Sequence, residues 1–140
     1  MLYAESSAIV AWLLDEPGGP IVGRAMAGSD AIITSDLTLI ECERAIRRAA
    51  RLDPQGRGAI EVVRGRMAEA VASWVVERIS PSVVDRARQP FPDDAIRSLD
   101  AIHLATALVV RSVVPDLDIL SLDERIRANA RTLGFRVLPA

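Results

Sequence analysis

The chain has 140 residues, half of them apolar, and a formal net charge of −2. This length predicts a single domain spanning residues 1–140, and the charge argues against a protein that binds nucleic acid through bulk attraction alone. Cys42 is the only cysteine, which excludes an internal disulfide and is typical of a reducing cytosol. There is no basic leader and no apolar run of the roughly 20 residues that a membrane helix needs, so we expect a soluble cytoplasmic protein without a membrane partner.

Short apolar segments alternate with helical patterns along the chain. We predict strands at residues 1–4, 31–34, 74–80, 117–122 and 135–139. We predict helices at residues 8–16, 21–27, 58–73, 81–88, 98–113 and 123–133, and a long helix that begins at Ser35 or Thr38 and ends at Arg51. The segments 17–20 and 53–56 are predicted turns, and Gly134 is the predicted C-cap of the last helix.

This alternation predicts the α/β class. Parallel strands joined by helical crossovers are covered on both faces, so we expect a three-layer α/β/α fold with a central, mainly parallel sheet of about five short strands. The apolar half of the composition favours a well-filled core, with apolar surface left for a partner or a second copy. In the long helix, five apolar side chains are expected to face the sheet: Leu39, Ile40, Ala45, Ile46 and Ala49.

Four acidic residues lie where a predicted strand gives way to a helix, or in the first turns of a helix. They are Glu5, Glu41, Asp100 and Asp123. The carboxyl ends of parallel strands share one edge of the sheet, so we expect these acids to converge there. Carboxylates in close proximity oppose each other's ionisation, and oxygen ligands suit Mg²⁺ or Mn²⁺. The pattern therefore predicts a metal site for phosphodiester chemistry, and it predicts that neutralising Asp100 raises the melting temperature of the metal-free protein.

Helix capping offers an ordinary explanation for each of these acids. The segments 38–41 and 121–124 both match capping boxes. Asp100 and Asp123 also fit first-turn acids that complement a helix dipole, each with a serine two residues before it as the cap. The sequence leaves both explanations open.

The other reactive side chains do not complete a second catalytic set. His103, one turn after Asp100, is the only histidine, which excludes a paired-imidazole ribonuclease mechanism and favours a role in the core or beside the acids. No G-x-S-x-G elbow, P-loop or G-x-G-x-x-G segment occurs. Cys42 lacks a positioned base and is expected to be a small buried residue. Trp12 and Trp74 are interpreted as core residues.

Arginines are concentrated after Glu41, on the same predicted helix, at Arg44, Arg47, Arg48 and Arg51. An acidic centre beside such a helix could admit a phosphate backbone and still hold a metal, although an ordinary solvated helix face explains the same pattern. Every basic residue is an arginine. The lysine that receiver domains and haloacid-type phosphatases require is therefore absent, and these phosphotransfer classes are strongly disfavoured.

Four segments together resemble the PIN domain, and specifically the VapC-type toxins of bacterial toxin–antitoxin pairs. They are YAESSAIVAWLLDEP, TSDLTLIECERAIRRA, LDAIHLATAL and SLDERIRANARTLGFRVLP. The resemblance runs from end to end of the chain. Its most specific parts are LDAIHLATAL and the S-x-D-E-R segment with the closing Gly-Phe-Arg-Val-Leu-Pro.

The resemblance implies a Mg²⁺- or Mn²⁺-dependent endoribonuclease that forms a homodimer, acts on RNA and is neutralised by a cognate antitoxin protein. It assigns the catalytic metal site to four acids, Glu5, Glu41, Asp100 and Asp123, and it matches Ser7 and Ser121 to hydroxyl positions that help to orient the metal, its waters or its ligands.

Glu5 departs from the family pattern, whose usual residue at this position is aspartate. The extra methylene moves the carboxylate by roughly one bond length, whereas metal–ligand distances tolerate only about 0.2 Å. The alternative function is therefore a catalytically weak or inactive PIN-like module that binds RNA or a protein partner.

Overall fold

The computed structural model describes residues 1–52, 57–93 and 95–140, so the turn predicted at residues 53–56 lies outside the described residues. The strands are β1 (Leu2–Ala4), β2 (Ile32–Ser35), β3 (Val75–Glu77), β4 (Asp118–Leu120) and β5 (Val137–Leu138), and they pair in parallel in the order β3-β2-β1-β4-β5. The helices in these ranges are α1 (Ser6–Leu13), α2 (Gly19–Ala27), α3 (Asp36–Leu52), α4 (Arg57–Val71), α5 (Pro81–Ala87), α6 (Ser98–Arg111) and α7 (Glu124–Thr132).

Helices cover both faces of the sheet. Successive residues of a strand point to opposite faces, and apolar side chains on each face pack against a different set of helices. Tyr3 and Ile119 belong to the core cluster that includes residues of α5, α6 and α7. Leu2 and Leu120 belong to the cluster that includes residues of α1, α2 and α3. The predicted three-layer α/β/α fold with a parallel sheet of five short strands is confirmed. Among the described residues, no helix is both long and apolar enough to span a membrane.

The first two helices turn back on each other through a pair of glycines. Gly18 has a φ of +95°, a conformation that residues with a side chain rarely adopt. A Cβ atom on Gly19 would lie 2.5 Å from the carbonyl oxygen of Ala11, so only glycine allows this close approach. Consequently α2 begins inside the predicted turn, and Pro20 occupies its first turn, where proline is well tolerated.

The inner face of α3 corrects one prediction. Its buried residues are Leu37, Thr38, Cys42, Ala45 and Ile46. Ile40, expected to face the sheet, is 56% exposed. Residues two apart on a helix project about 200° apart, and because Cys42 faces the core, Ile40 must face outward. Leu39 and Ala49 are buried only in part.

The two tryptophans lie at the margin of the core. Trp12 and Trp74 pack against the buried cluster but remain partly exposed, with their ring centroids 6.3 Å apart. They line a cleft of about 440 Å³ that also includes Ala31 and Ile32, where β2 begins. The interpretation of both as core residues is therefore correct only in part. The cleft opens at the amino ends of the strands, away from the four acids.

Cys42 is buried, and burial, assisted by the negative charges of Glu41 and Glu5, raises the pKa of its thiol to about 12. Because the thiolate is the reactive form, we expect the folded protein to be inert to Ellman's reagent at about pH 8. Denaturant should release one reactive thiol per chain. Rapid labelling of the folded protein would contradict the burial of this side chain.

Candidate active site

The four acids lie around the carboxyl ends of the strands, at the edge predicted from the sequence. Glu5 directly follows β1, and Asp123 lies just beyond β4. Glu41 is on α3, which begins at the end of β2, and Asp100 is in the first turn of α6. Residues far apart in sequence therefore meet because the parallel strands all end on one side.

Glu5 is 3% exposed and is the N-cap of α1. Its Oε1 accepts hydrogen bonds from Ser6 Oγ at 2.7 Å and from the backbone N of Ser7 at 2.9 Å. Its Oε2 accepts from Ser7 Oγ at 2.6 Å and from Ser121 Oγ at 2.7 Å. Each carboxylate oxygen therefore has two donors, which compensates the buried charge for the loss of water.

The serines at positions 7 and 121 connect the start of α1 to the loop between β4 and α7. Ser7 Oγ also accepts from the backbone N of Leu122 at 2.9 Å and of Asp123 at 3.1 Å. Ser121 Oγ accepts from the same Asp123 nitrogen at 3.1 Å. Both hydroxyls thus fix Glu5 and the backbone of Asp123 relative to each other. Their role toward a metal stays a prediction.

Glu41 is held by a chain of buried polar side chains. Its Oε2 lies 2.7 Å from His103 Nε2, and His103 Nδ1 lies 3.1 Å from the Tyr3 hydroxyl. Because a carboxylate only accepts, Nε2 must donate its proton to Glu41. Burial alone would raise the pKa of Glu41, but hydrogen bonds from His103 and Ser6 lower it below its ordinary value. Glu41 is therefore ionised at neutral pH, and His103, at 2% exposure, lies beside the acids as predicted.

Arg97, which the sequence analysis did not single out, joins the other two acids. Its Nε donates to Asp100 Oδ2 at 2.9 Å, and its Nη2 donates both to Asp100 Oδ1 and to Asp123 Oδ2, each at 3.1 Å. These hydrogen bonds and the charge of Asp100 raise the pKa of Arg97, so the guanidinium is always charged. Asp123 Oδ1 accepts from backbone amides in the first turn of α7.

The acids thus form two neighbouring groups among the described residues rather than one compact cluster of four carboxylates. In the first, ligand atoms of Glu5, Glu41 and His103 all lie within 4.8 Å of one another. In the second, Asp100 and Asp123 share one guanidinium. A pocket of about 190 Å³ includes Glu41 and Asp100 in its wall, so it connects the two groups.

The capping explanations have mixed outcomes. Neither predicted capping box forms, because Thr38 lies inside α3 and the N-cap of α7 is Asp123 rather than Ser121. Ser98 is not a cap either, since the N-cap of α6 is Arg97, which makes no side-chain cap hydrogen bond. Asp123 does cap its helix and also faces the site. Capping and a place in the site are therefore compatible for this residue.

Comparisons with known proteins agree with this architecture. Residues 2–132 match the PIN domain family. Ribonuclease VapC35 from Mycobacterium tuberculosis is 31% identical over 140 residues, covering 99% of this chain and 96% of that protein. Ribonuclease VapC46 from the same species is 34% identical, covering 98% and 95%. The crystal structure of Mycobacterium tuberculosis VapC20, described as a toxin that cleaves the sarcin–ricin loop, superimposes with a TM-score of 0.63 at 16% identity and covers 96% of each chain.

The match across nearly the whole chain assigns it to the PIN-domain family. Within that family the chain belongs with the VapC ribonuclease toxins, to which it is at least 30% identical over almost its full length. The resemblance inferred from the sequence segments is therefore confirmed.

Proposed function

We propose that this single domain is a divalent-metal-dependent endoribonuclease, the toxin of a type II toxin–antitoxin pair, with an active site formed by Glu5, Glu41, Asp100 and Asp123. The observation that carries the proposal is that Asp100 and Asp123, from separate segments, converge on one cation at N–O distances of 2.9–3.1 Å. An arrangement of acids around a positive charge, one of them buried, is what a metal site of this kind requires.

The donor set fits Mg²⁺ or Mn²⁺. Asp100, Asp123 and Glu41 offer carboxylate oxygens, which both ions prefer. Mg²⁺ demands near-ideal octahedral geometry, so a site with glutamate at position 5 favours the less strict Mn²⁺. When bound, the cation would make a water molecule acidic enough to attack and would neutralise charge on the phosphate. Since each oxygen of Glu5 already has two donors, Glu5 would contact the cation, directly or through water, only after giving up one of these hydrogen bonds.

The proposed reaction is hydrolysis of an RNA phosphodiester by in-line attack of water, leaving a 5′-phosphate and a 3′-hydroxyl. Glu41 is suited to orient the attacking water, because its lowered pKa keeps it an acceptor and His103 fixes its position. Asp100 and Asp123 would hold the cation against the phosphate. Ser7 and Ser121 would keep the surrounding loop in place through the hydrogen bonds described above.

An exposed stripe of arginines supports RNA as the substrate. Arg44, Arg48 and Arg51 follow Glu41 at helical spacings of three, seven and ten residues, and all three are exposed. At a rise of about 1.5 Å per residue the stripe extends roughly 15 Å from the acids. Arginines placed in this way contact phosphates and position a strand without selecting its sequence. Arg47 is already paired with Glu43 at 2.8 Å.

Exposed apolar side chains support the proposed partners, a cognate antitoxin and a second copy of the chain. Ile40 is 56% exposed, Leu52 87% and Val113 78%. Large apolar side chains in water are stabilised when another chain covers them. We place these complexes in the cytoplasm, in line with the single thiol.

A binding module without catalysis is the second candidate, and the hydrogen bonding of Glu5 favours it. A carboxylate whose oxygens are both saturated by serine and backbone donors is a stable structural element, which a metal would have to disturb. The two candidates differ in a direct assay of RNA cleavage.

The test is incubation of structured RNA with the purified chain in Mn²⁺, in Mg²⁺ and in excess EDTA. We expect cleavage with either metal, strongest in Mn²⁺, none in EDTA, and products that carry 5′-phosphates. Cleavage that persists in EDTA would contradict metal dependence. If neither the wild type nor Glu5→Asp cleaves RNA with either metal, the protein is better explained as a binding module.

A further inference from the structure

Arg97 is the arginine that contacts two acids of the candidate site, and the proposed reaction leaves these contacts unexplained. One guanidinium makes a two-point contact with Asp100 and reaches Asp123 with the same Nη2 atom. Two-point contacts between arginine and carboxylate are among the strongest charge-assisted hydrogen bonds. Three carboxylate oxygens that face the site are therefore occupied by a side chain of the protein itself.

The exposure of the partners is unequal. The side chain of Asp100 is 6% exposed, whereas that of Arg97 is 60% exposed. A buried carboxylate is unfavourable without a cation, but the guanidinium is already largely in water and loses little burial when it leaves. Arg97 caps α6 without any side-chain cap hydrogen bond, so its guanidinium can move without disturbing the start of the helix.

We propose that Arg97 is an internal counter-cation that occupies the cation position between Asp100 and Asp123 and that a divalent metal must displace. The inference rests on the metal-dependent function proposed above and names the group with which the metal competes. Without metal, Arg97 neutralises the buried Asp100 and the partly buried Asp123 and keeps the site assembled. With metal, the guanidinium moves aside and frees the three oxygens, so Arg97 sets the affinity of the site.

Because Arg97 and the metal compete for the same oxygens, removing the positive charge of Arg97 should lower the stability of the metal-free protein and raise its affinity for Mn²⁺. In Arg97→Gln the metal-free protein loses the ion pair, and Asp100 becomes a buried charge without a partner. Its melting temperature should fall by about 3–8 °C. The same variant should bind Mn²⁺ about tenfold more tightly, because a unit charge that repels the ion from a few ångströms away is gone. A purely structural residue would lower stability without tightening metal binding.

The experiment measures Mn²⁺ binding by the electron paramagnetic resonance signal of the free ion, without RNA, and thermal unfolding in EDTA by circular dichroism. It compares the wild type with Arg97→Gln, Arg97→Lys and Arg88→Gln. Arg88→Gln is the control, because it makes the same change of net charge at an exposed position at the end of α5. Lysine keeps the charge but cannot make the two-point contact, so Arg97→Lys should bind Mn²⁺ with intermediate affinity.

Tighter Mn²⁺ binding in Arg97→Gln, with wild-type affinity in Arg88→Gln, supports the inference. If the wild type binds Mn²⁺ measurably and Arg97→Gln binds it equally well or more weakly, the inference about Arg97 is overturned, whereas the proposed function is not. If Arg97→Gln does not fold, wild-type affinity in Arg97→Lys is the result that overturns it. If neither the wild type nor any of these variants binds Mn²⁺, and Glu5→Asp, measured in the same way, does not bind it either, the metal-dependent function itself fails, and the inference fails with it.

Discussion

Replacing Asp100 by asparagine is expected to lower the rate of metal-dependent RNA cleavage by about 100-fold or more. Asparagine has nearly the same shape but no charge, so it removes a ligand from the proposed cation site. Even residues that only support metal ligands typically account for 10–100-fold in activity or metal affinity. The measurement is the initial rate of cleavage at saturating Mn²⁺, beside the wild type.

Asp116→Asn is the matched control. Asp116 is exposed and precedes β4, at the opposite end of that strand from the acids, so its neutralisation should leave the rate unchanged. Equal rates for wild type and Asp100→Asn would remove Asp100 from the reaction. For this variant the structure leads to the opposite expectation from the one drawn from the sequence. Since Asp100 is paired with Arg97 rather than repelled by bare acids, the melting temperature of the metal-free variant should fall, not rise.

The second large effect is expected on stability, for Glu5→Ala. The substitution removes an acceptor of four hydrogen bonds and leaves the hydroxyls of Ser6, Ser7 and Ser121 without their main partner. We expect a loss of about 2–4 kcal/mol in the free energy of unfolding, because buried polar groups are then unpaired. Thermal unfolding in EDTA should show a melting temperature lower by roughly 8–15 °C.

Glu5→Asp is the variant to compare with Glu5→Ala. A shorter carboxylate can still accept from the amide at the start of α1, but it withdraws from the hydroxyl of Ser121 across the site. Its melting temperature should therefore lie between those of the wild type and Glu5→Ala, while metal-dependent cleavage is retained. A melting temperature of Glu5→Ala equal to that of the wild type would show that the four hydrogen bonds contribute nothing to stability.

The fold could be predicted because its causes are local and regular. Each strand is a short apolar segment and each helix a periodic one, and parallel pairing then brings all strand ends to one edge. For that reason the convergence of Glu5 and Asp123, which follow β1 and β4, could be predicted without a structure. Glu41 and Asp100 lie near the starts of α3 and α6, which begin at the same edge. Errors arose where neighbouring apolar residues competed for one face. Ile40 faces outward because Cys42 occupies the inward position on the same helix.

The contacts of the acids could not be predicted, because they depend on side chains from distant segments. The hydrogen bond between Ser121 and Glu5 joins residues 116 positions apart, and no periodicity encodes it. For Arg97 one signal was present, since it precedes Asp100 by three residues on a helix, a spacing that pairs opposite charges. Its reach to Asp123, 26 residues away, follows only from the tertiary fold.

We expect the four acids to form one site for a divalent cation. Thermal unfolding of the wild type, Asp100→Asn and Asp116→Asn, each in EDTA and in Mn²⁺, tests this directly. An ion that binds only the folded state must stabilise it, by about 2.7 kcal/mol at a concentration of 100 times the dissociation constant. Mn²⁺ should raise the melting temperatures of the wild type and Asp116→Asn but not that of Asp100→Asn. Equal shifts in all three proteins, or no shift in the wild type, would contradict it.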